Sequence, residues 1–180
     1  VVTDVDGVLT DSMKYYGPGG LALLAFHVRD GLGLHLLKRM GMHLAIVTVT
    51  DSDIVSRRAA DLGITEVFRN VRDKRTMLRT YREANKLSRE EVLYVGDDLW
   101  DLEAFAEVGV RVAVADAVLA VRAAADWVTE CTGGSGALRE IADAIVEAKG
   151  IDPVDLLRPQ PRREPDEGSA DTVSSPVTPQ

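Results

Sequence analysis

The sequence predicts an α/β fold in which a mainly parallel sheet is covered by helices on both sides. Short apolar or β-branched runs recur at Val1 to Val5, Leu44 to Thr48, Glu66 to Phe68, Val92 to Val95 and Val110 to Val114, as suits strands buried on both faces. Segments of helical composition or spacing separate them, which is the order of a βαβ series. Two of the runs end in carboxylates, Asp4-Val5-Asp6-Gly7 and Gly96-Asp97-Asp98-Leu99-Trp100-Asp101, and the carboxyl ends of strands are where open α/β sheets place their sites. The architecture is therefore a Rossmann-like three-layer sandwich.

Taken in order, Val1 to Val5 is the first strand, and the chain curls at its end so that Asp4 and Asp6 turn toward one site while Gly7 permits a tight turn. Met13 to Tyr16 and Leu21 to Val28 flank Gly17-Pro18-Gly19-Gly20 and predict a β-hairpin over about residues 12–28. Its arms carry Tyr15, Leu21, Leu23, Leu24 and Phe26, an apolar set that either packs on its own domain or meets another subunit. Helices follow over Gly33 to Met40, Ile54 to Leu62, Lys74 to Asn85, Asp101 to Val108 and Ala117 to Ala124, alternating with the strands. Ser88 caps a short turn over Arg89 to Glu91. Arg139 to Lys149 closes the fold and Gly150 ends that helix. Residues 1–150 thus make one domain. Residues 151–180 are a C-terminal tail, and from about Arg158 its Pro, Ser, Asp and Glu predict disorder.

Composition narrows the function classes. With 180 residues, 46% of them hydrophobic, the chain is long enough for one sizeable core. A net charge of -8 and scattered Lys and Arg argue against nucleic acid as a partner. No apolar run approaches the roughly 20 residues of a membrane span, and no signal peptide is visible. Cys131 is the single cysteine, so no internal disulfide forms and a cytoplasmic location is expected. His27, His35 and His43 are too dispersed for a metal cluster. The chain opens without Met, inside its first strand, which leaves room for a segment or domain upstream.

Along the chain the polar strand ends read Asp-x-Asp, then Thr48, then Lys74 at a helix start, then Gly-Asp-Asp-x-x-Asp. This order resembles the haloacid dehalogenase superfamily of phosphohydrolases. The resemblance narrows over Asp4 to Asp11, Tyr15 to Pro18, Phe26 to Gly33, Gly96 to Leu99, Val112 to Ala117 and Gly133 to Glu140. These stretches look like the capless branch typified by 3-deoxy-D-manno-octulosonate 8-phosphate phosphatase, and they cover residues 1–149.

That likeness implies a Mg²⁺-dependent phosphatase with no cap domain, acting on a sugar-acid phosphate. A phosphate monoester repels nucleophiles and has a poor leaving group, so a site must neutralise charge, align a nucleophile and protonate the departing oxygen. By its match to the first motif, Asp4 would be the nucleophile and form an aspartyl phosphate, while Asp6 would serve as acid and then base. The Asp4 carboxylate, the Asp6 carbonyl and the Asp97 carboxylate would hold Mg²⁺, supported by Asp98 and Asp101. Thr48 and Lys74 would hold phosphoryl oxygens. His27, Arg29, Asp30 and Thr50 are the candidates for contact with the sugar, and Trp100 packs at the mouth. The branch also implies a homotetramer assembled through the hairpin, with neighbouring subunits walling each site.

The sequence departs from the branch at two places. Thr48 is followed by Val49-Thr50-Asp51 where the family continues Gly-Arg, and Ser135 stands where the C-terminal pattern has Arg. A substrate carboxylate loses a bidentate partner at each. The catalytic set is intact and the specificity set altered, so three readings stay open. One is a phosphatase of 3-deoxy-D-manno-octulosonate 8-phosphate or a nonulosonate 9-phosphate. Another is the phosphatase-like domain of an acylneuraminate cytidylyltransferase, and the third is an inactive oligomerisation module.

Overall fold

The computed structural model describes residues 1–158. Strand β1 (Val2–Thr3) lies at the centre of a six-stranded sheet, with β4 (Ala45–Val47) and β5 (Glu66–Phe68) on one side. On the other side lie β6 (Leu93–Gly96), β7 (Val110–Ala113) and β8 (Trp127–Val128). All five pairings are parallel, and the order β5-β4-β1-β6-β7-β8 reverses direction at β1. Such a reversal opens a crevice at the carboxyl ends of the flanking strands. The β1 direction continues past its formal end, because the Asp4 amide donates to the Val95 carbonyl at 3.1 Å. Asp4 is thereby fixed in the crevice.

The helices are α1 (Val28–Arg39), α2 (Asp53–Leu62), α3 (Lys74–Asn85), α4 (Trp100–Phe105), α5 (Leu119–Ala124), α6 (Ala137–Ala148) and α7 (Pro153–Leu157). One group joins α1 with α6, α7 and α2, and the other joins α3, α4 and α5. Between helices and sheet lies a core that includes Val2, Val5, Leu37, Ile46, Leu78, Val95, Val112 and Ile141. Ser88 makes a capping box with Glu91 over a 3₁₀ turn at Arg89–Glu91. No helix among the described residues is long and apolar enough to cross a membrane.

Three elements differ from the sequence reading. Helix α1 begins at Val28, five residues before the expected Gly33, despite two glycines in its first half. Tertiary packing overrides their weak propensity: a Cβ at Gly33 would lie 2.8 Å from the Arg139 Cα, so glycine is what lets α6 approach α1. The hairpin is shorter than predicted, with β2 at Tyr15–Gly17 and β3 at Gly20–Leu23 paired antiparallel. Leu24 and Phe26 leave the hairpin and pack on the core, with the Arg58 guanidinium 5.5 Å from the centre of the Phe26 ring. Met13, Tyr15, Tyr16 and Leu23 remain exposed.

Two elements were not anticipated. Strand β8 has two residues, too few for a pattern. Helix α7 carries a legible start signal, with Asp152 accepting from the Val154 amide and Pro153 in the first turn. It docks on α1, where Arg39 donates to the Leu156 carbonyl at 2.8 Å. The tail beyond Arg158, expected to be disordered, lies outside the described residues.

Candidate active site

The crevice is built from four strand or helix ends. After β1 the chain turns through Val5 to Thr10, where buried Thr10 accepts from the Gly7 amide at 3.3 Å and donates to the Val5 carbonyl at 3.2 Å. Gly7 sits at φ 85°, and a Cβ there would lie 2.0 Å from Asp97 Oδ2. Only glycine lets the first acidic loop and the second come together. The Gly133-Gly134 segment seals the same loop from outside, since the Gly134 amide donates to the Val8 carbonyl at 2.9 Å. Asp116 accepts from the Gly133 amide at 2.9 Å. The segment thus packs on its own chain's first motif.

Lys74 opens α3 behind an Asp73 cap and points inward, wholly buried. Its Nζ lies 2.9 Å from Asp4 Oδ2 and donates to Asp101 Oδ1 at 2.7 Å and to the Tyr94 hydroxyl at 3.1 Å. Asp101, also buried, accepts from the Tyr94 hydroxyl at 2.7 Å on the same oxygen. Through Oδ2 it accepts the Asp97 and Asp98 amides at 2.8 and 3.2 Å. One carboxylate therefore fixes both the ammonium and the loop that carries Asp97. Among the described residues Asp98 accepts only from the adjacent Leu99 amide. Thr48 ends β4, fully buried, and its Oγ1 accepts from the Thr50 amide at 3.0 Å.

Charge is concentrated and poorly solvated here. Burial, then the Asp4, Asp101 and Asp98 carboxylates, push Asp97 up to about 8 against the pull of Lys74. Asp4 is raised for the same reasons, burial first and Asp101 second. Burial works to lower Lys74, but Asp4 and Asp101 outweigh it and raise the ammonium above its ordinary value. Burial and then Asp101 hold the Tyr94 phenol far above its usual range, so it remains a hydroxyl donor.

The donor set fits a hard divalent cation. Asp4, Asp97 and Asp101 each offer a carboxylate oxygen within 4.8 Å of the others. The Asp101 oxygens are engaged by Lys74, Tyr94 and two amides, whereas Asp97 Oδ1 is buried without a hydrogen-bond partner among the described residues. Asp4 and Asp97 are the carboxylates with capacity left for an ion. Asp6 Oδ1 is likewise buried and unpartnered, while its Oδ2 accepts from Thr50 Oγ1 at 2.5 Å.

A cavity of about 320 Å³ is lined by Asp4, Asp6, Ser12, Lys14, Thr48, Val49, Thr50, Asp97, Asp98 and Trp100. It gathers most of the expected set, with Trp100 half-exposed at its mouth. His27, Arg29 and Asp30 do not line it. Asp30 is buried and accepts the Gly136 and Arg139 amides at 3.1 and 2.9 Å, so it caps α6 rather than facing a sugar. His27 precedes α1 with Nδ1 3.8 Å from Asp30 Oδ2. Arg29 lines a separate groove of about 500 Å³ with Cys131 and Arg139. That groove is larger, but it lacks the convergent buried carboxylates and the ammonium of the smaller cavity.

Two residues escaped the sequence reading. Tyr94 is a buried phenol on a strand, and the need of such a hydroxyl for a partner was the available signal. Lys14 enters from the hairpin side, and only the Asp11-Ser12 turn that returns it to the site hinted at this.

Comparison with known proteins agrees with this geometry. A model of the haloacid dehalogenase-like hydrolases matches residues 49–141. The chain belongs to this family. The hydrolase is also 44% identical over 150 residues to the 3-deoxy-D-manno-octulosonate 8-phosphate phosphatase of Haemophilus influenzae, covering 83% of each chain. Its identity to the Escherichia coli K12 phosphatase of the same name is 40%, over 83% of this chain and 80% of that one. The crystal structure of the Moraxella catarrhalis phosphatase, in complex with magnesium ion, phosphate ion and a KDO molecule, superposes with a TM-score of 0.79. It is 40% identical, covering 82% of this hydrolase and 84% of that chain.

Proposed function

We propose that this hydrolase cleaves the phosphomonoester of a sugar acid, with 3-deoxy-D-manno-octulosonate 8-phosphate as the best candidate, and that Asp4 is its nucleophile. The observation that carries the reading is the arrangement at the switch point: a buried carboxylate on β1, 2.9 Å from a buried ammonium, beside a second carboxylate with an unpartnered oxygen. Relatives named for that phosphatase support the substrate class. Asp4, Asp97 and the Asp6 carbonyl are the groups that would hold Mg²⁺, whose role when bound is to neutralise phosphoryl charge and orient the ester.

The steps belong to the side chains. An Asp4 oxygen attacks phosphorus, the bond from phosphorus to the leaving oxygen breaks, and Asp6 gives that oxygen its proton. Asp6 then takes a proton from water as the water attacks the aspartyl phosphate, which releases phosphate and restores Asp4. Lys74 balances the charge on Asp4 as the phosphoryl group is transferred to it, and the Thr48 hydroxyl donates to that group. Asp101 and Tyr94 keep Lys74 in place.

Assembly belongs to the same proposal. Tyr16 and Leu23 are 72% and 65% exposed on the hairpin, beside exposed Met13 and Tyr15, an apolar grouping of the kind that interaction sites use. A homotetramer built on the hairpins would cover it and wall an otherwise open cavity.

The test is phosphate release from a panel of sugar phosphates with Mg²⁺ and with EDTA. The expected result is Mg²⁺-dependent turnover with the octulosonate 8-phosphate as the preferred ester. Turnover undiminished by EDTA, or preference for a neutral sugar phosphate, would refute it.

A further inference from the structure

Among the residues that line the cavity, Lys14 is the one cation, set against Asp4, Asp6, Asp97 and Asp98. Lys74 lies deeper, wholly enclosed and occupied by Asp4 and Asp101. Lys14 is different. Its side chain is 31% exposed, its Nζ is 3.0 Å from Asp6 Oδ2, and it donates to Thr50 Oγ1 at 2.7 Å. Those contacts use two of the three ammonium protons at most, so one remains for a ligand.

Its place is built, not accidental. The Asp11 carboxylate accepts from the Met13 amide at 3.1 Å, and Ser12 takes φ 63°, an uncommon conformation for a non-glycine residue. This turn reverses the chain between the first acidic loop and β2 and brings Lys14 back over Asp6. The loop after Thr48, Val49-Thr50-Asp51, contributes a hydroxyl and no cation. Thr50 in turn bonds Asp6 on the same Oδ2, which leaves Oδ1 to meet the substrate.

Direction follows from Asp6. The proton that Asp6 gives goes to the leaving oxygen, so a cation 3.0 Å from Asp6 stands beside the leaving group, whereas Lys74 is engaged with Asp4. We infer that Lys14 is a specificity-determining residue, an ammonium that binds an anionic group carried by the leaving alcohol, such as a carboxylate. On binding, that anion accepts a hydrogen bond from the remaining N–H of Lys14 or displaces Asp6 from it. The inference rests on the proposed phosphatase reaction and deepens it.

The experiment compares Lys14→Met and Lys14→Arg with the unmutated protein on paired esters. The pairs are 3-deoxy-D-manno-octulosonate 8-phosphate against mannose 6-phosphate, and 6-phosphogluconate against glucose 6-phosphate. Loss of a charge-assisted hydrogen bond is worth about tenfold or more in affinity. Lys14→Met should therefore lower the acidic-to-neutral ratio of kcat/KM by at least about tenfold, chiefly through KM, with Lys14→Arg restoring most of it. An equal loss on acidic and neutral esters would make Lys14 a mere support for Asp6 and overturn the inference. So would an unmutated protein with no preference for acidic leaving groups. If the octulosonate ester is not turned over but a preference for 6-phosphogluconate disappears in Lys14→Met, the named substrate falls and the role of Lys14 stands.

Discussion

Asp101 tests whether the buried network, rather than the loops alone, holds the site. Its carboxylate is fully enclosed and accepts from Lys74, Tyr94 and the Asp97 and Asp98 amides. Replacing it with alanine leaves an ammonium and two amides in a dry pocket, and breaking a buried pair in this way costs about 3–5 kcal/mol. Two features favour the lower end. Lys74 keeps Asp4 as a partner at 2.9 Å, and loss of one carboxylate relieves the repulsion that raises Asp4 and Asp97. At about 3 kcal/mol, and about 2–4 °C per kcal/mol for a domain of this size, Tm should fall by roughly 6–12 °C. Asp101→Asn keeps one acceptor oxygen and should lose about half as much. Because the Asp97 loop and Lys74 both lose their anchor, kcat should fall on the order of 10²-fold in either variant. Melting followed by circular dichroism in EDTA, beside turnover of an aryl phosphate with Mg²⁺, provides both readings. An alanine variant that melts within about 2 °C of the parent and keeps kcat within about twofold would refute the network.

Three further outcomes are expected. Asp4→Asn should abolish turnover and acid-stable phosphate labelling while the far-ultraviolet spectrum is unchanged, and hydrolysis near the parental rate would remove Asp4 as nucleophile. The double change Tyr16→Asp and Leu23→Asp should convert an oligomer to monomers in sedimentation and reduce sugar-phosphate turnover more than aryl-phosphate turnover; a parent that is already a fully active monomer contradicts it. Glu107 is buried against Arg82 at 2.8 Å, Arg89 at 3.3 Å and Arg75 at 3.5 Å. Burial works to raise it, but the Arg82 bond and the other guanidiniums outweigh that and hold it below the usual carboxylate range. A depressed acid stabilises the fold above its unfolded value and loses that contribution as pH falls, so Glu107→Gln should lower Tm at pH 7 and much less near pH 3. A gap that widens on acidification would reverse the sign.

The residues that could be read from the sequence are those whose local context is sufficient. Asp4, Asp6, Asp97 and Asp101 stand at the ends of apolar runs, and a parallel sheet brings strand ends together whatever the details of packing. Lys74 was legible from its place in the motif order at the start of an expected helix, which Asp73 caps in the structure. The errors have one physical origin, which is that a side chain's partner lies far along the chain. Asp30 looked like part of a polar cluster with His27 and Arg29, yet its acceptors are claimed by amides 106 and 109 residues away. Gly33 was expected to open a helix and Gly31 to precede it, yet both lie inside α1, where Gly33 leaves room for α6 and Gly31 for Arg58 and Leu62 of α2. Lys14 lies unremarked within the expected hairpin, but a left-handed residue at Ser12 turns it onto Asp6. That turn matters for specificity. The phosphoryl end of the site is assembled from strand ends of the sheet, whereas the leaving-group end depends on a hairpin that the sheet does not constrain. Chemistry and substrate choice are therefore carried by parts of the chain that can vary separately, and a change at Lys14 can alter the second without dismantling the first.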